Sequence, residues 1–198
     1  MRGVLSRYNA DRENLFTRVG RQAAQRLDLL AEEKWLLTEL WEDLDENTRR
    51  LAKLDQRLRH FAQAAPQRER EARAVLASMP QVGPVTVETI LAELGDWRRF
   101  RNASAVVSFA GLDPGVRESD GRRKNLRLTK AGSPLLRWIL IQLAHRLKWT
   151  SARWERPYEQ LKSRCGNKKA TCAIARRLLL VIYAMLRDGK AYQLPSAA

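Results

Sequence analysis

From Arg21 to Ala65 the sequence runs for 45 residues with neither proline nor glycine, bounded by Gly20 and Pro66. Leu, Ala, Glu, Arg and Gln dominate the run, and all of them lose little on entering a helix. It predicts one long helix from about Gly20 to Ala65, roughly 65–70 Å at 1.5 Å per residue. Leu30, Leu37, Leu44, Leu51 and Leu58 recur at every seventh position, while the companion positions Leu27, Lys34, Trp41, Thr48 and Asp55 are mixed. A leucine heptad with an imperfect second seam is a coiled-coil pattern, and these five leucines are the expected dimerisation residues. Either a second copy or the chain's own C-terminal helices must cover the stripe. A helix longer than a small domain favours self-association into a homodimer or higher oligomer.

Charge divides the chain at about the middle. Met1 to Asp96 holds 15 Lys/Arg against 16 Asp/Glu, whereas Trp97 to Ala198 holds 22 against 6, so the second half carries all of the +15 net charge. Excess positive charge on a segment patterned to fold suits a polyanion, because each phosphate contact releases condensed counterions. A merely soluble basic surface is the alternative that charge alone leaves open. No apolar run approaches the roughly 18 residues of a spanning helix. Met1-Arg2-Gly3-Val4-Leu5-Ser6-Arg7-Tyr8 lacks the apolar centre of a signal peptide, so a cytoplasmic protein without a membrane partner is expected. Cys165 and Cys172 read as ordinary thiols, and His60 and His145 supply no metal-ligand spacing with them.

Beyond Pro66 the punctuation predicts short helices. Gln67 to Met79 is one, and the run from Met79-Pro80-Gln81-Val82-Gly83-Pro84-Val85-Thr86 onward reads as a helix-hairpin-helix turn. There Gly83 would permit a tight turn, and the amides around Gly83 and Thr86 would bind a phosphate without regard to base sequence. An αα-corner with no ligand is the alternative. A short helix from Asn102 to Ala110 ends at Gly111. Ser133-Pro134 opens a helix through Lys148 with Leu136, Ile139, Leu140 and Leu143 inside. Thr150 or Ser151 opens another to Arg164, and Lys168 to Leu186 forms the last, apolar along Ile174, Leu178, Val181, Ile182 and Met185. The class expected is all-α: a long coiled-coil helix, then a small helical domain with a helix-hairpin-helix-like element and a basic loop. The divisions are 1–20 as an N-terminal remnant or linker, 21–65 as coiled coil, 66–192 as the domain and 193–198 as tail.

Asp113 to Gly132 reads as a polar surface loop or loose hairpin. In it Arg117, Arg122, Arg123, Lys124, Arg127 and Lys130 flank Ser119. Guanidinium groups bind phosphodiester oxygens and stabilise the charge that builds during attack, which suits a serine nucleophile acting on phosphorus. A polar loop hydroxyl is the plainer reading, since no histidine lies near and Asp120 would repel a phosphate. Two-metal chemistry needs converging carboxylates. The six acids of this half, Asp113, Glu118, Asp120, Glu155, Glu159 and Asp188, are scattered, so no metal site is expected.

Several ordered motifs, between about Ala72 and Tyr192, then align with a known group. Met79-Pro80-Gln81-Val82-Gly83-Pro84-Val85-Thr86, Leu91-Ala92-Glu93-Leu94-Gly95-Asp96, Arg99-Phe100 and Phe109-Ala110-Gly111-Leu112-Asp113-Pro114 come first. Thr129-Lys130-Ala131-Gly132-Ser133-Pro134-Leu135-Leu136-Arg137 and the basic-apolar helix around Ala175 to Leu186 follow. Together they resemble the transposase domain of the insertion-sequence group numbered 110, 116 and 902. The resemblance implies a recombinase of the bacterial nucleoid with a RuvC-like domain carrying Asp/Glu/Asp/Asp ligands for Mg²⁺, a coiled coil, and a C-terminal domain whose serine joins to DNA. It also implies a structured bridge RNA that selects target and donor. Ser119 is the position matching that serine, although aspartate follows it here where glycine is common. The acidic domain lacks a counterpart in these residues, so the resemblance implies a chain that binds nucleic acid but is inactive alone. A noncatalytic helix-hairpin-helix nucleic-acid-binding protein and a coiled-coil assembly protein are the alternatives.

Overall fold

The computed structural model describes residues 2–8, 10, 14, 16–119, 122–129 and 131–193, with Arg2 and residues 114–119 and 122–128 described by backbone alone. Two compact units form, residues 1–64 and 65–198. The fold is all-α, with one β-hairpin among the described residues.

The first unit holds α1 (Arg2–Leu5), α2 (Arg18–Gln25) and α3 (Ala31–Ala64). The helix expected to run unbroken from Gly20 is therefore interrupted between Gln25 and Ala31. In a continuous helix residues 21 and 45 would lie about 36 Å apart. Instead Arg21 grips Asp45 with both terminal nitrogens, at 2.7 and 2.6 Å, and its guanidinium sits over the Trp41 ring at 5.9 Å. Folding α2 back lets Leu5, Ala24, Leu29, Leu37 and Trp41 bury one another. Glu33 secures the bend, accepting from the Leu30 amide at 3.2 Å and from the Tyr8 hydroxyl at 2.6 Å. These tertiary contacts override a local preference that is helical throughout.

The leucine heptad is divided by the same event. Leu30 lies before α3 and is exposed, and Leu37 is buried inside the unit, so neither remains on a free stripe. Leu44 and Leu58 are half-buried and Leu51 is exposed. Leu40, Leu54 and Phe61, each three residues after one of these leucines, form a second apolar row on an adjacent helix position, with Asn47 the polar member.

The second unit opens with α4 (Gln67–Ala77) and α5 (Pro84–Leu94), tied by Arg73, which donates to both oxygens of Glu88 at 2.7 and 2.9 Å. A single 3-10 turn, Trp97–Arg99, leads to α6 (Ala103–Phe109), capped by the Asn102 side chain. The strands β1 (Pro114–Ser119) and β2 (Arg122–Leu128) follow, then α7 (Pro134–Thr150), α8 (Ala152–Cys165) and α9 (Asn167–Asp188). At the centre lies α9, with Ala170, Ile174, Ala175, Leu178, Leu179 and Ile182 fully buried against neighbouring helices. Val181, expected inside, is only half-buried. Leu136, Ile139, Leu140 and Leu143 of α7 are buried as their spacing predicted. Lys148 is buried as well, held by the Tyr158 hydroxyl at 3.3 Å and by that ring's face at 4.4 Å.

Candidate nucleic-acid interface

The basic segment forms an antiparallel hairpin. Its register pairs Pro114 with Leu128, Val116 with Asn125, Arg117 with Lys124, Glu118 with Arg123 and Ser119 with Arg122, with an irregularity between Pro114 and Val116. Of the two alternatives the sequence left, loop or loose hairpin, the backbone adopts the second. Ser119 ends β1, about 17 Å along the strand from Pro114 at 3.3–3.4 Å per residue. The side chains of Ser119, Arg117, Arg122, Arg123, Lys124 and Arg127 lie outside the described residues, as does Lys130 entirely.

The hairpin is held by the motifs at either end of the segment. Gly111 terminates α6 in the left-handed region at φ 63°, where a Cβ would meet the Arg137 guanidinium at 2.7 Å. Gly132 crosses the end of α6 so closely that a Cβ there would stand 1.7 Å from the Phe109 carbonyl oxygen. That crossing lets the Ser133 amide donate to the same oxygen at 3.2 Å and Arg137 donate to the Ala110 carbonyl at 3.1 Å. The Thr129 amide donates to the Asp113 carbonyl at 3.1 Å, closing the hairpin's base.

Side chains complete the collar. Ser133 caps α7 by accepting from the Leu136 amide at 3.0 Å while its hydroxyl donates to Glu93 of α5. The Ser108 hydroxyl donates to Asp113. Arg176 of α9 stands 3.8 Å from Asp113; its Nε is buried with no hydrogen-bond partner among the described residues, so the contact is ionic only. Glu93, Ser108, Arg137 and Arg176 were not among the residues expected at the site. The signal in the sequence was a glycine at each end of the polar segment, Gly111 and Gly132, where two chains cross.

The α4–α5 turn corrects one expectation. Its left-handed residue is Gln81, at φ 64°, while Gly83 has an ordinary φ of −87° and caps α5. The turn does not need glycine at position 83 for its backbone; rather, a Cβ there would meet only open space. Thr86 is buried, so it offers this surface no exposed side chain. Gly83 and Thr86 thus sit together at the start of α5, apart in sequence from the hairpin.

Among the described residues no three His, Cys, Asp or Glu side chains gather into a metal site. The collar carboxylates Glu93 and Asp113 already serve Ser133, Ser108 and Arg176. Among the described residues no helix is long and apolar enough to cross a membrane. Cys165 and Cys172 are not joined in a disulfide among the described residues.

Residues 73–159 match the model of the Transposase IS116/IS110/IS902 family. This stretch runs from α4 through the hairpin and, Arg176 apart, its collar into α8. The chain is similar to the uncharacterized 44.8 kDa protein of insertion element IS116 from Streptomyces clavuligerus, 31% identical over 60% of this chain and 30% of that protein. It is also similar to the uncharacterized 43.6 kDa protein of insertion element IS110 from Streptomyces coelicolor, 29% identical over the same shares of the two chains. The transposase for insertion sequence element IS1111A from Coxiella burnetii is 25% identical over 86% of this chain and 47% of its own length. The match thus spans less than half the length of each of these relatives. Through its collar and hairpin the chain is similar to the IS116/IS110/IS902 transposase family.

Proposed function

We propose that this chain is the DNA-binding C-terminal portion of an insertion-sequence transposase, and that its β-hairpin carries the serine nucleophile of strand exchange. The observation that carries this reading is the collar. Residues matched by the transposase family fix both ends of a strongly basic hairpin whose register sets Ser119 beside Arg122, at the end farthest from the base. The Ser119 hydroxyl attacks a backbone phosphorus, an Oγ–P bond forms as one P–O bond of the strand breaks, and the serine proton leaves with the departing hydroxyl end. Arg117, Arg122, Arg123, Lys124, Arg127 and Lys130 supply positive charge along the DNA. The backbone at Gly83 adds a contact to phosphate. Attack by a second strand's hydroxyl on the same phosphorus would release the serine and complete exchange.

A Mg²⁺ ion belongs to the acidic RuvC-like domain that the resemblance implies, and the residues described here do not fit it. Their carboxylates are dispersed or already engaged in the collar, and no step is routed through the ion. Structured guide RNA is a second proposed partner of the basic half. Self-association through Leu44, Leu51 and Leu58, joined by Leu54 and Phe61, would pair two such chains for two DNA ends.

Binding of duplex DNA and of structured RNA, followed by gel shift across a salt series, tests the basic surface. Affinity falling steeply and linearly in log salt is expected, and salt-insensitive binding would overturn it. Supplying an acidic partner domain with Mg²⁺ should give a covalent protein–DNA adduct that Ser119→Ala abolishes. An adduct that persists in Ser119→Ala removes Ser119 from the chemistry and leaves a noncatalytic nucleic-acid-binding protein.

A further inference from the structure

One helix face in the second unit is unexplained by packing. Trp97 and Trp154 of this unit are buried, as tryptophan ordinarily is in a folded domain, but Trp138 and Trp149 of α7 are 54% and 71% exposed. They are eleven residues apart, which at 100° per residue brings them within about 20° of one line along the helix. Gln142 and His145 lie between them on the same line, and both are exposed. The opposite face of α7 is fixed in the core by Leu136, Leu140, Leu143 and Leu147, so the stripe cannot rotate inward. Beside it, against Gln81 of the α4–α5 turn, runs a groove of about 450 Å³ that both tryptophans line.

The groove's charge narrows its occupant. No carboxylate occurs on α7, which carries Arg137, Arg146 and Lys148, and Arg146 lines the groove itself. Large aromatic faces with a positive border suit a ligand that is flat and apolar in one part and anionic in another. A helix from a protein partner would meet Gln142 and His145 at the middle of the contact, where an apolar seam is needed. An unpaired nucleotide meets each feature: its base stacks on indole, its polar edge reaches an amide or imidazole, and its phosphate faces arginine. The two indoles are about 16 Å apart along the helix, close to five base rises of about 3.4 Å.

We propose that the Trp138–Trp149 face of α7 is a binding surface for a single-stranded polynucleotide segment, whose unpaired bases stack on the two indoles. This deepens the polynucleotide-binding reading above and rests on it. It assigns to α7 a strand state different from the duplex proposed for the hairpin.

The test compares the full chain with Trp138→Ala/Trp149→Ala and with Trp138→Phe/Trp149→Phe. Each is titrated into a labelled oligothymidine and a blunt duplex of equal length, by fluorescence anisotropy. The alanine variant should bind the single strand at least about 30-fold more weakly, with its salt slope unchanged, because each of the two stacked bases loses about 1–3 kcal/mol. Duplex affinity should stay within about twofold, and phenylalanine should restore most of the single-strand affinity. Thermal melting equal to the parent's would show that both variants fold, as expected for exposed positions. Parent-like single-strand binding by the alanine variant overturns the inference, as does equal loss for both probes. A change in particle mass would reassign the face to a protein partner and likewise overturn it. If the parent binds the duplex while the alanine variant keeps its single-strand affinity, only this inference fails. If the parent binds neither probe, polynucleotide binding itself fails.

Discussion

Residues 1–64 bury Leu5, Ala24, Leu29, Leu37 and Trp41 near the first turns of α3, and leave Leu51, Leu54 and Phe61 about 60% exposed farther along it. Residues 65–198 spend similar residues differently: Leu136, Leu140, Leu143 and Leu147 of α7 and Leu178 and Leu179 of α9 are all fully buried. Helix propensity and composition do not separate the two regions. Lateral cover does. The short α1 and α2 can shield only the beginning of a 34-residue helix about 51 Å long, whereas α9 is enclosed by α4, α6, α7 and α8. An amphipathic helix is stabilised mainly by what covers its apolar face, and among the described residues α9 has that cover along its length while the far end of α3 does not.

The comparison breaks most decisively at Gly132. A branched side chain there would enter the Phe109 carbonyl, which is backbone and cannot swing aside. Gly132→Val should cost roughly 4 kcal/mol or leave the second unit unfolded. Hydrogen exchange should then show protection lost from α5 through α9 while the amides of α3 beside Leu37 and Trp41 keep theirs. Parent-like melting of Gly132→Val would show that the crossing is not rigid.

On the other side of the comparison, charging the bare end of α3 should leave the fold intact and abolish assembly. Leu51→Lys with Phe61→Lys removes two apolar side chains, each contributing about 1.5–3 kcal/mol when covered. Sedimentation equilibrium should therefore show association weakened by about 100-fold or more. A parent that is already monomeric at high concentration would mean that nothing of its own kind covers this face.

How far these features were readable follows from their range in sequence. Ser133-Pro134, Asn102, Gly111 and Gly166 announce helix ends through chemistry confined to a few residues, and the structure places helix boundaries at each. The break before Ala31 carries no such mark, because its cause, Arg21 meeting Asp45 and Trp41, lies across a fold-back of more than twenty residues. The strands were hard to read for another reason. Arg122-Arg123-Lys124-Asn125 lacks the apolar alternation that identifies a half-buried strand, so only the ladder and the collar reveal it. Gly83 drew attention as the expected hinge, yet Gln81 takes the left-handed conformation. The serine at the hairpin's end was marked by resemblance, and the two exposed tryptophans of α7 by nothing local at all.

Ion pairs sharpen the same contrast more gently. Arg73 and Glu88 join α4 to α5 with side chains only 12% and 15% exposed, whereas Asp45, the partner of Arg21, is 51% exposed. The guanidinium of Arg73 is held above its ordinary range chiefly by its hydrogen bonds to Glu88. Breaking a pair shielded on both sides strands a poorly hydrated carboxylate, so Arg73→Met should lose about 2 kcal/mol, somewhat below the 3–5 of a fully buried pair. Urea denaturation should show this against a smaller loss for Arg21→Met, whose exposed partner regains water. Equal losses would mean that burial does not distinguish the two pairs.

The smallest expected effect is in pH dependence. Partial loss of hydration against the groove, and then the nearby Lys148 ammonium, hold the exposed His145 imidazole below its ordinary value of 6.5. Arg146 stands beside it on α7 and Gln81, which lines the same groove, bears no charge. Because the folded state takes up this proton less readily than the unfolded chain, the unfolded form gains as pH falls below about 6.5, and above that value the group contributes nothing. The first unit titrates in a different window. Glu33, lowered mainly by its hydrogen bond from Tyr8, and Asp45, lowered mainly by Arg21, start from 4.5 and 3.8, and their contribution disappears only as pH falls below those values. Between about pH 6.5 and 4.5, then, a loss of stability traceable to His145 should appear in the second unit while these contacts of the first stay intact. His145→Gln should flatten that part of the second unit's profile, read as urea midpoints at successive pH values, and leave the acid limb below pH 4.5 in place. An unchanged slope in His145→Gln would mean that the imidazole is as well hydrated in the folded chain as in the unfolded one.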